Sequence, residues 1–219
     1  MKDTKIITIA NQKGGCGKTT ITMQLAGALS LDKLSVLVVD ADPQGTSTRW
    51  ASSADESIPF LAHIAGLSAA GARVHKEIKK YMGLYDYILI DCPPAVDSIT
   101  PQSALMVSDL VLVPIVPSPA DLWAAVGIQE LICRIQSSNE TLNARIVMNM
   151  CQANINLNQE VLKQINTFGI DLTKSSLHLR TAYRQSAVLG RTVFDIPGAD
   201  KACTEIKMLK EEVIKILSI

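Results

Sequence analysis

An apolar run, Ile6-Ile7-Thr8-Ile9-Ala10, breaks off into Lys13-Gly14-Gly15-Cys16-Gly17-Lys18-Thr19-Thr20, and a helix-like run follows from Ile21 to Leu29. Few folds accommodate three glycines and two lysines between a buried strand and a helix. Glycines let the backbone curl so that successive N–H groups converge, and the helix N-terminus adds its own positive end. The order strand, loop, helix is the context of a phosphate-cradling loop. In that reading Gly14, Gly15, Cys16, Gly17, Lys18, Thr19 and Thr20 enclose the phosphates. Lys18 reaches the terminal ones and the Thr19 hydroxyl faces Mg²⁺. The usual pattern places a glycine five residues before Gly17, where this chain has Gln12, and beside it stands an extra cation, Lys13.

The remaining pattern extends this unit into a layered α/β domain. Lys5 to Ala10, Val36 to Asp40, Tyr87 to Asp91, Leu110 to Val116 and Ala144 to Met150 read as strands. Several are continuous Val/Ile/Leu runs, as expected of strands buried on both faces of a parallel sheet. Helices are expected at Thr19 to Ser30, Ser68 to Met82, Leu122 to Ser137, Leu157 to Phe168 and Lys201 to Leu217. The alternation predicts a doubly wound, mostly parallel sheet with helices on both faces, formed as one domain over residues 1–219. Ligands in such sheets lie beyond the carboxyl ends of the strands.

Positive and negative side chains balance, 21 against 21, so any nucleic-acid surface has to be a local patch. The five cysteines are scattered, with no CxxC pair, which points to reduced thiols rather than disulfides or zinc. No secretory signal is visible and no apolar run reaches membrane-spanning length. These features predict a cytoplasmic protein.

Further candidates stand at strand ends. Asp91 closes four apolar residues before Cys92-Pro93-Pro94, where a carboxylate can hold Mg²⁺ through its water shell. Asp40 and Asp42 flank Ala41 ahead of Pro43 and Gly45; two carboxylates there suit the Mg²⁺ shell and water activation, or else a helix or turn cap. Pro119 suits the first turn of a helix capped by Ser118, and Trp123 reads as a packing residue. His178, Arg180, Arg184 and Arg191 form the densest basic stretch, which alone reads as a solvated face.

The spelling Asn11 to Thr20, with Val38-Val39-Asp40-Ala41-Asp42-Pro43-Gln44-Gly45 and Ile88-Leu89-Ile90-Asp91-Cys92-Pro93-Pro94, resembles the deviant Walker A family of ParA partition ATPases. The likeness runs on through Pro114 to Trp123 and is greatest to the small ParF type. It implies a P-loop NTPase that binds ATP and Mg²⁺, dimerises on ATP and hydrolyses it. By this resemblance Lys13 crosses the dimer interface to the partner's phosphates, and Asp42 serves hydrolysis and the metal shell. It also implies that Asn149 contacts adenine, and that Arg184, with Arg180 next, contacts DNA without sequence preference. A ParB-like or other cargo-bound partner would then stimulate hydrolysis and release the dimer from the nucleoid. Two rivals are a MinD-like switch on a membrane and an ATP-liganded DNA-binding repressor. The spelling after Asp42, and a last segment continuous with the final domain helix, argue against the first. Retention of Lys13 and Asp42 argues against the second.

Overall fold

The computed structural model describes residues 2–94, 99–152 and 168–218. Seven strands form one sheet: β1 (Lys5–Ile9), β2 (Val36–Asp40), β3 (His63–Gly66), β4 (Tyr87–Asp91), β5 (Leu110–Ile115), β6 (Asn143–Cys151) and β7 (Leu172–His178). Their order is β3-β2-β4-β1-β5-β6-β7 and every pairing is parallel. The helices are α1 (Lys18–Leu31), α2 (Thr46–Ser52), α3 (Val74–Lys79), α4 (Ile99–Leu105), α5 (Pro119–Ala124), α6 (Val126–Gln136), α7 (Thr181–Val188) and α8 (Asp200–Leu217).

Successive side chains of a strand point to opposite faces, so each apolar strand feeds two cores. Ile6, Leu37, Val39, Ile88, Ile90, Val111 and Val113 pack with residues of α3, α4, α5 and α6. Ile7, Ile9, Val36, Val38, Leu89, Leu110 and Leu112 pack with α1, Trp50 of α2, Ala182 of α7 and the apolar stripe of α8. This is the doubly wound sheet that the continuous apolar runs predict. Because all strands run the same way, the ends of β1, β2, β4 and β5 open on one rim.

Two expected elements take a different form, and a third falls outside the described residues. Ser68 to Met82 is not one helix: Gly71, at φ 50°, breaks a 3-10 turn at Ser68–Arg73 from α3. Leu122 to Ser137 divides at Ala125 into α5 and α6. The helix expected at Leu157 to Phe168 lies outside the described residues, apart from Phe168. Two strands and three helices were not anticipated: β3, β7, α2, α4 and α7. The β7 sequence Leu-Thr-Lys-Ser-Ser-Leu-His is mostly polar, yet Thr173, Ser175 and Leu177 are buried. Its donors are met by Glu212 of α8, which accepts from the Lys174 and Ser175 amides at 2.7 and 3.0 Å and from the Ser175 hydroxyl at 2.8 Å.

That clamp makes Glu212 a stability determinant distant from the rim. Glu212→Ala should lower the unfolding free energy by about 1–3 kcal/mol, because the amides lose their acceptor. The exposed neighbour Glu211→Ala should change it by less than about 0.5 kcal/mol. Urea denaturation of both variants measures the difference.

Candidate nucleotide and metal site

The loop between β1 and α1 is held open by glycine conformations. Gly15 and Gly17 have φ of 75° and 90°, a region that disfavours side chains. A Cβ on Gly17 would also overlap the Asn149 amide. Asn149 Nδ2 donates to the Cys16 carbonyl at 2.8 Å, so this strand-end residue braces the loop from β6. Helix α1 starts without a side-chain cap or an acidic residue in its first turn. Its first N–H groups therefore face the loop as an uncompensated positive end. Lys18 is buried, and its ammonium donates to the Lys13 carbonyl at 2.9 Å. No carboxylate among the described residues pairs with it. A buried cation held only by neutral groups, beside a ring of N–H donors, is chemistry suited to phosphate.

Gln12 occupies the position where the usual loop has glycine because the opposite wall makes room for it. Its side chain lies over Gly127 at the start of α6, where a Cβ would overlap the Gln12 amide. Cys16 and Cys92 are fully buried and burial pushes both thiols up, in keeping with packing rather than redox chemistry.

Asp91 lies at the tip of β4 with no exposed surface. Its Oδ2 accepts the Thr19 hydroxyl at 2.7 Å and the Ser47 hydroxyl at 2.8 Å, whereas its buried Oδ1 has no partner. Burial pushes this carboxyl up to about 6, against the pull of those two hydroxyls. An orphaned buried carboxylate oxygen is costly unless a cation meets it. With the Thr19 hydroxyl, it makes an all-oxygen donor set that fits Mg²⁺.

The second acidic pair separates into two roles. Strand β2 stops at Asp40, so Asp42 belongs to the following turn and accepts the Gln44 amide at 2.8 Å. Asp42 is buried on the same rim as Asp91. Asp40 acts as the cap: its Oδ2 accepts the Thr48 amide and hydroxyl, each at 2.8 Å, and its Oδ1 accepts the Asp42 amide at 3.3 Å. Both oxygens of Asp40 are thus engaged, Oδ1 by the turn at Asp42 and Oδ2 by α2, as the structural alternative for this pair has it.

Lys13 forms an ion pair within the chain. Its ammonium lies 2.6 Å from Asp121 Oδ2 of α5, an almost fully buried carboxylate whose Oδ1 has no partner. The Ser118 hydroxyl also reaches Asp121 Oδ2, and Ser118 caps α5 by accepting the Asp121 amide at 3.2 Å. The expected Ser118–Pro119 start of that helix is therefore present. Trp123 departs from expectation: its residue is 70% exposed and is not part of the core.

The basic stretch is divided as well. Arg180 is engaged internally, its Nε and Nη2 donating to Glu205 of α8 at 3.0 and 2.5 Å. Glu205 also meets His178 Nδ1 at 2.8 Å and accepts the Tyr183 hydroxyl at 3.1 Å. Burial would raise the Glu205 carboxyl, but the Arg180 guanidinium and the other donors hold it below its usual range. Arg184, on the exposed side of α7, has no ion-pair partner among the described residues. Of the two arginines, Arg184 alone has its charge uncommitted.

A glycine loop ending β1, a carboxylate ending β4 and a hydroxyl opening α1 make up a P-loop nucleotide site. The model of the CobQ/CobB/MinD/ParA nucleotide-binding domain matches residues 7–193, and the chain belongs to that family. Maintenance of carboxysome distribution protein A of Halothiobacillus neapolitanus is 30% identical to it over 95% of both chains. Sporulation initiation inhibitor protein Soj of Bacillus subtilis is 28% identical, over 75% of this chain and 79% of Soj. Among solved structures, the ATP complex of a Cyanothece McdA variant shares the fold with a TM-score of 0.80, 97% coverage of each chain and 16% identity. MinD from Pyrococcus horikoshii complexed with Mg-ADP has a TM-score of 0.77, with 97% coverage of each chain and 21% identity.

Lys18 and Asn149 touch the same loop for different reasons, so their removal should separate. Lys18→Ala should weaken ATP binding at least about tenfold, equivalent to about 1.4 kcal/mol. Asn149→Ala should instead lower the thermal midpoint through the lost brace and weaken ATP binding less. Fluorescent-nucleotide titration beside thermal denaturation distinguishes the two.

Proposed function

We propose that the chain is an ATP-hydrolysing positioning switch of the ParA type, acting through an ATP-bound homodimer that holds DNA without sequence preference. The observation that carries this reading is the buried Lys18 ammonium, held by the Lys13 carbonyl with no carboxylate partner among the described residues, on the same rim as the orphaned Asp91 Oδ1. Family membership and the relative named for carboxysome distribution support it. On this reading the loop amides of residues 14–20 and Lys18 bind the phosphates, and Thr19 with Asp91 holds the metal. Bound Mg²⁺ would neutralise phosphate charge and help place the reacting group. Asp42 sits on the rim where an attacking water is oriented, the main task a protein performs in phosphoryl transfer. Asn149 adds a brace behind the loop, and an adenine contact from it would come on top of that bond.

Lys13 supplies the link between nucleotide and assembly. In the monomer its ammonium is neutralised by Asp121. ATP bound by a second subunit offers a denser negative charge, and transfer of Lys13 to those phosphates joins the subunits as an arginine finger in trans does. Each dimer doubles the Arg184 surface, which suits a chain whose formal net charge is zero. A cargo-bound partner would then act on the dimer. The membrane alternative is disfavoured because, in the segment from Glu211, Val213 is buried and Ile214, Ile216 and Leu217 pack against the same core. Among the described residues no helix is long and apolar enough to cross a membrane.

Lys13→Ala should retain monomer ATP binding and abolish the ATP dimer, while Asp121→Asn, which removes the competing anion, should lower the ATP concentration at which dimers form. Asp42→Ala should dimerise but slow single-turnover hydrolysis by tenfold or more, about 1.4 kcal/mol of barrier. Light scattering and single-turnover assays report these outcomes, and an intact Lys13→Ala dimer would contradict the trans role.

DNA binding should require ATP and fall steeply with salt. Arg184→Ala should flatten the log–log salt slope by up to about two units, since each phosphate contact contributes about 0.9 and a dimer loses two. Arg180→Ala should change the slope less and stability more, because it leaves Glu205 buried without its guanidinium. Gel shifts at several salt concentrations measure both.

A further inference from the structure

Two hydroxyls converge on Asp91 Oδ2, and only Thr19 belongs to the phosphate loop. The other, Ser47, is the second residue of α2 and is fully buried. Its bond to Asp91 spans 2.8 Å and is charge-assisted whenever the carboxyl is ionised. With Thr19, it fixes the side-chain rotation of Asp91 so that Oδ1 stays the unpartnered oxygen.

The other end of α2 contacts a different part of the protein. Trp50 is buried, and its indole Nε1 donates to the Arg191 carbonyl at 3.0 Å. Gly190, at φ 63°, lies so close to residues 53 and 54 that a Cβ there would overlap the Ala54 backbone. Gln24 of α1 clamps the same region from the other side, donating to the Ser186 hydroxyl and accepting the Val193 amide, both at 2.8 Å. Helix α2 is thus a seven-residue strut between the Asp91 carboxylate and the turn that follows Arg184. A rigid packed element of this kind, with a polar contact at each end, is one physical route by which two sites can be coupled.

We infer that Ser47 is a positioning residue for the metal-holding carboxylate, and that α2 relays the state of Asp91 through Trp50 to the turn at residues 189–191, which follows the Arg184-bearing helix α7. The inference rests on the Mg²⁺–nucleotide reading and extends it. Ser47 holds Asp91 in the orientation that presents Oδ1, and any change in the charge met by Asp91 alters its pull on the Ser47 hydroxyl. The rigid helix passes that change to the Trp50–Arg191 contact.

The chain has two tryptophans, so Trp123→Phe leaves Trp50 as the single indole reporter. In that background, ADP is bound first and MgCl₂ is then titrated at fixed ADP occupancy, with Trp50 emission followed alongside ADP affinity. The expected result is an emission change on Mg²⁺ addition. It should be lost in Ser47→Ala, with the Mg²⁺ midpoint weakened about tenfold and metal-free ADP affinity unchanged. Ser47→Thr, which keeps the hydroxyl, should restore both. An identical Mg²⁺ response in Ser47→Ala, or no Trp50 response in a chain that binds Mg-ADP, overturns the relay while leaving the nucleotide reading intact. Failure of the chain to bind ADP at all refutes that reading and the relay together. Should Ser47→Ala not fold, hydrogen exchange on the otherwise unsubstituted chain decides the matter. Amide protection at residues 184–191 is expected to change with Mg²⁺ at fixed ADP, and unchanged protection overturns the inference.

Discussion

The buried carboxylate of Asp91 is the contact on which the rest of the rim is organised. Strand β4 delivers it from the sheet interior, α1 answers with Thr19 and α2 with Ser47. Desolvation pushes its carboxyl up to about 6, so ionising it carries a cost that a nearby cation would lower. Two hydroxyls on one oxygen leave the other oriented and unsatisfied. A protein carrying such a group in its core accepts an unfavourable local energy that ligand binding relieves. The arrangement needs a parallel sheet, because only there do the ends of β1, β2 and β4 arrive side by side.

Asp121 repeats the same logic at the mouth of the loop. It too is buried with one unpartnered oxygen, and the cation that meets it is Lys13. Breaking a buried pair by removing one charge is costly because the other stays desolvated. Lys13 can therefore leave Asp121 only for a stronger anion, which on the proposed reading is the phosphate tail held by a second subunit. The two lysines of one loop then differ by the groups they face: Lys18 meets a backbone carbonyl, Lys13 a carboxylate.

Features carried by contiguous residues were legible in the sequence. The glycine loop, the Asp91 strand end and five apolar strands follow from local composition, and the Ser118–Pro119 helix start follows from capping chemistry. Strands β3 and β7 were not, because neither is an apolar run: β7 buries Thr173 and Ser175 with the help of Glu212, remote in sequence. Ser47 was missed for the same reason, since a serine after Gly45-Thr46 gives no sign that it will meet Asp91. Spacing left the roles of Asp40 and Asp42 open and the resemblance singled out Asp42; the bonds from Thr48 that engage Asp40 depend on where α2 packs. The resemblance ranked Arg184 ahead of Arg180, and Glu205 of α8 gives that order its physical ground, pairing Arg180 alone of the two. Trp123 reads as a packing residue in the sequence, yet the six-residue helix after the proline-rich strand end presents it outward.

The central claim is that Asp91 holds the metal that completes nucleotide binding. Titration of a fluorescent ADP with and without Mg²⁺, for the unsubstituted chain and for Asp91→Asn, tests it most directly. The account predicts that Mg²⁺ tightens binding to the unsubstituted chain by about tenfold or more, about 1.4 kcal/mol. It predicts no Mg²⁺ effect for Asp91→Asn, whose metal-free affinity stays the same. An equal Mg²⁺ effect in both proteins would contradict it.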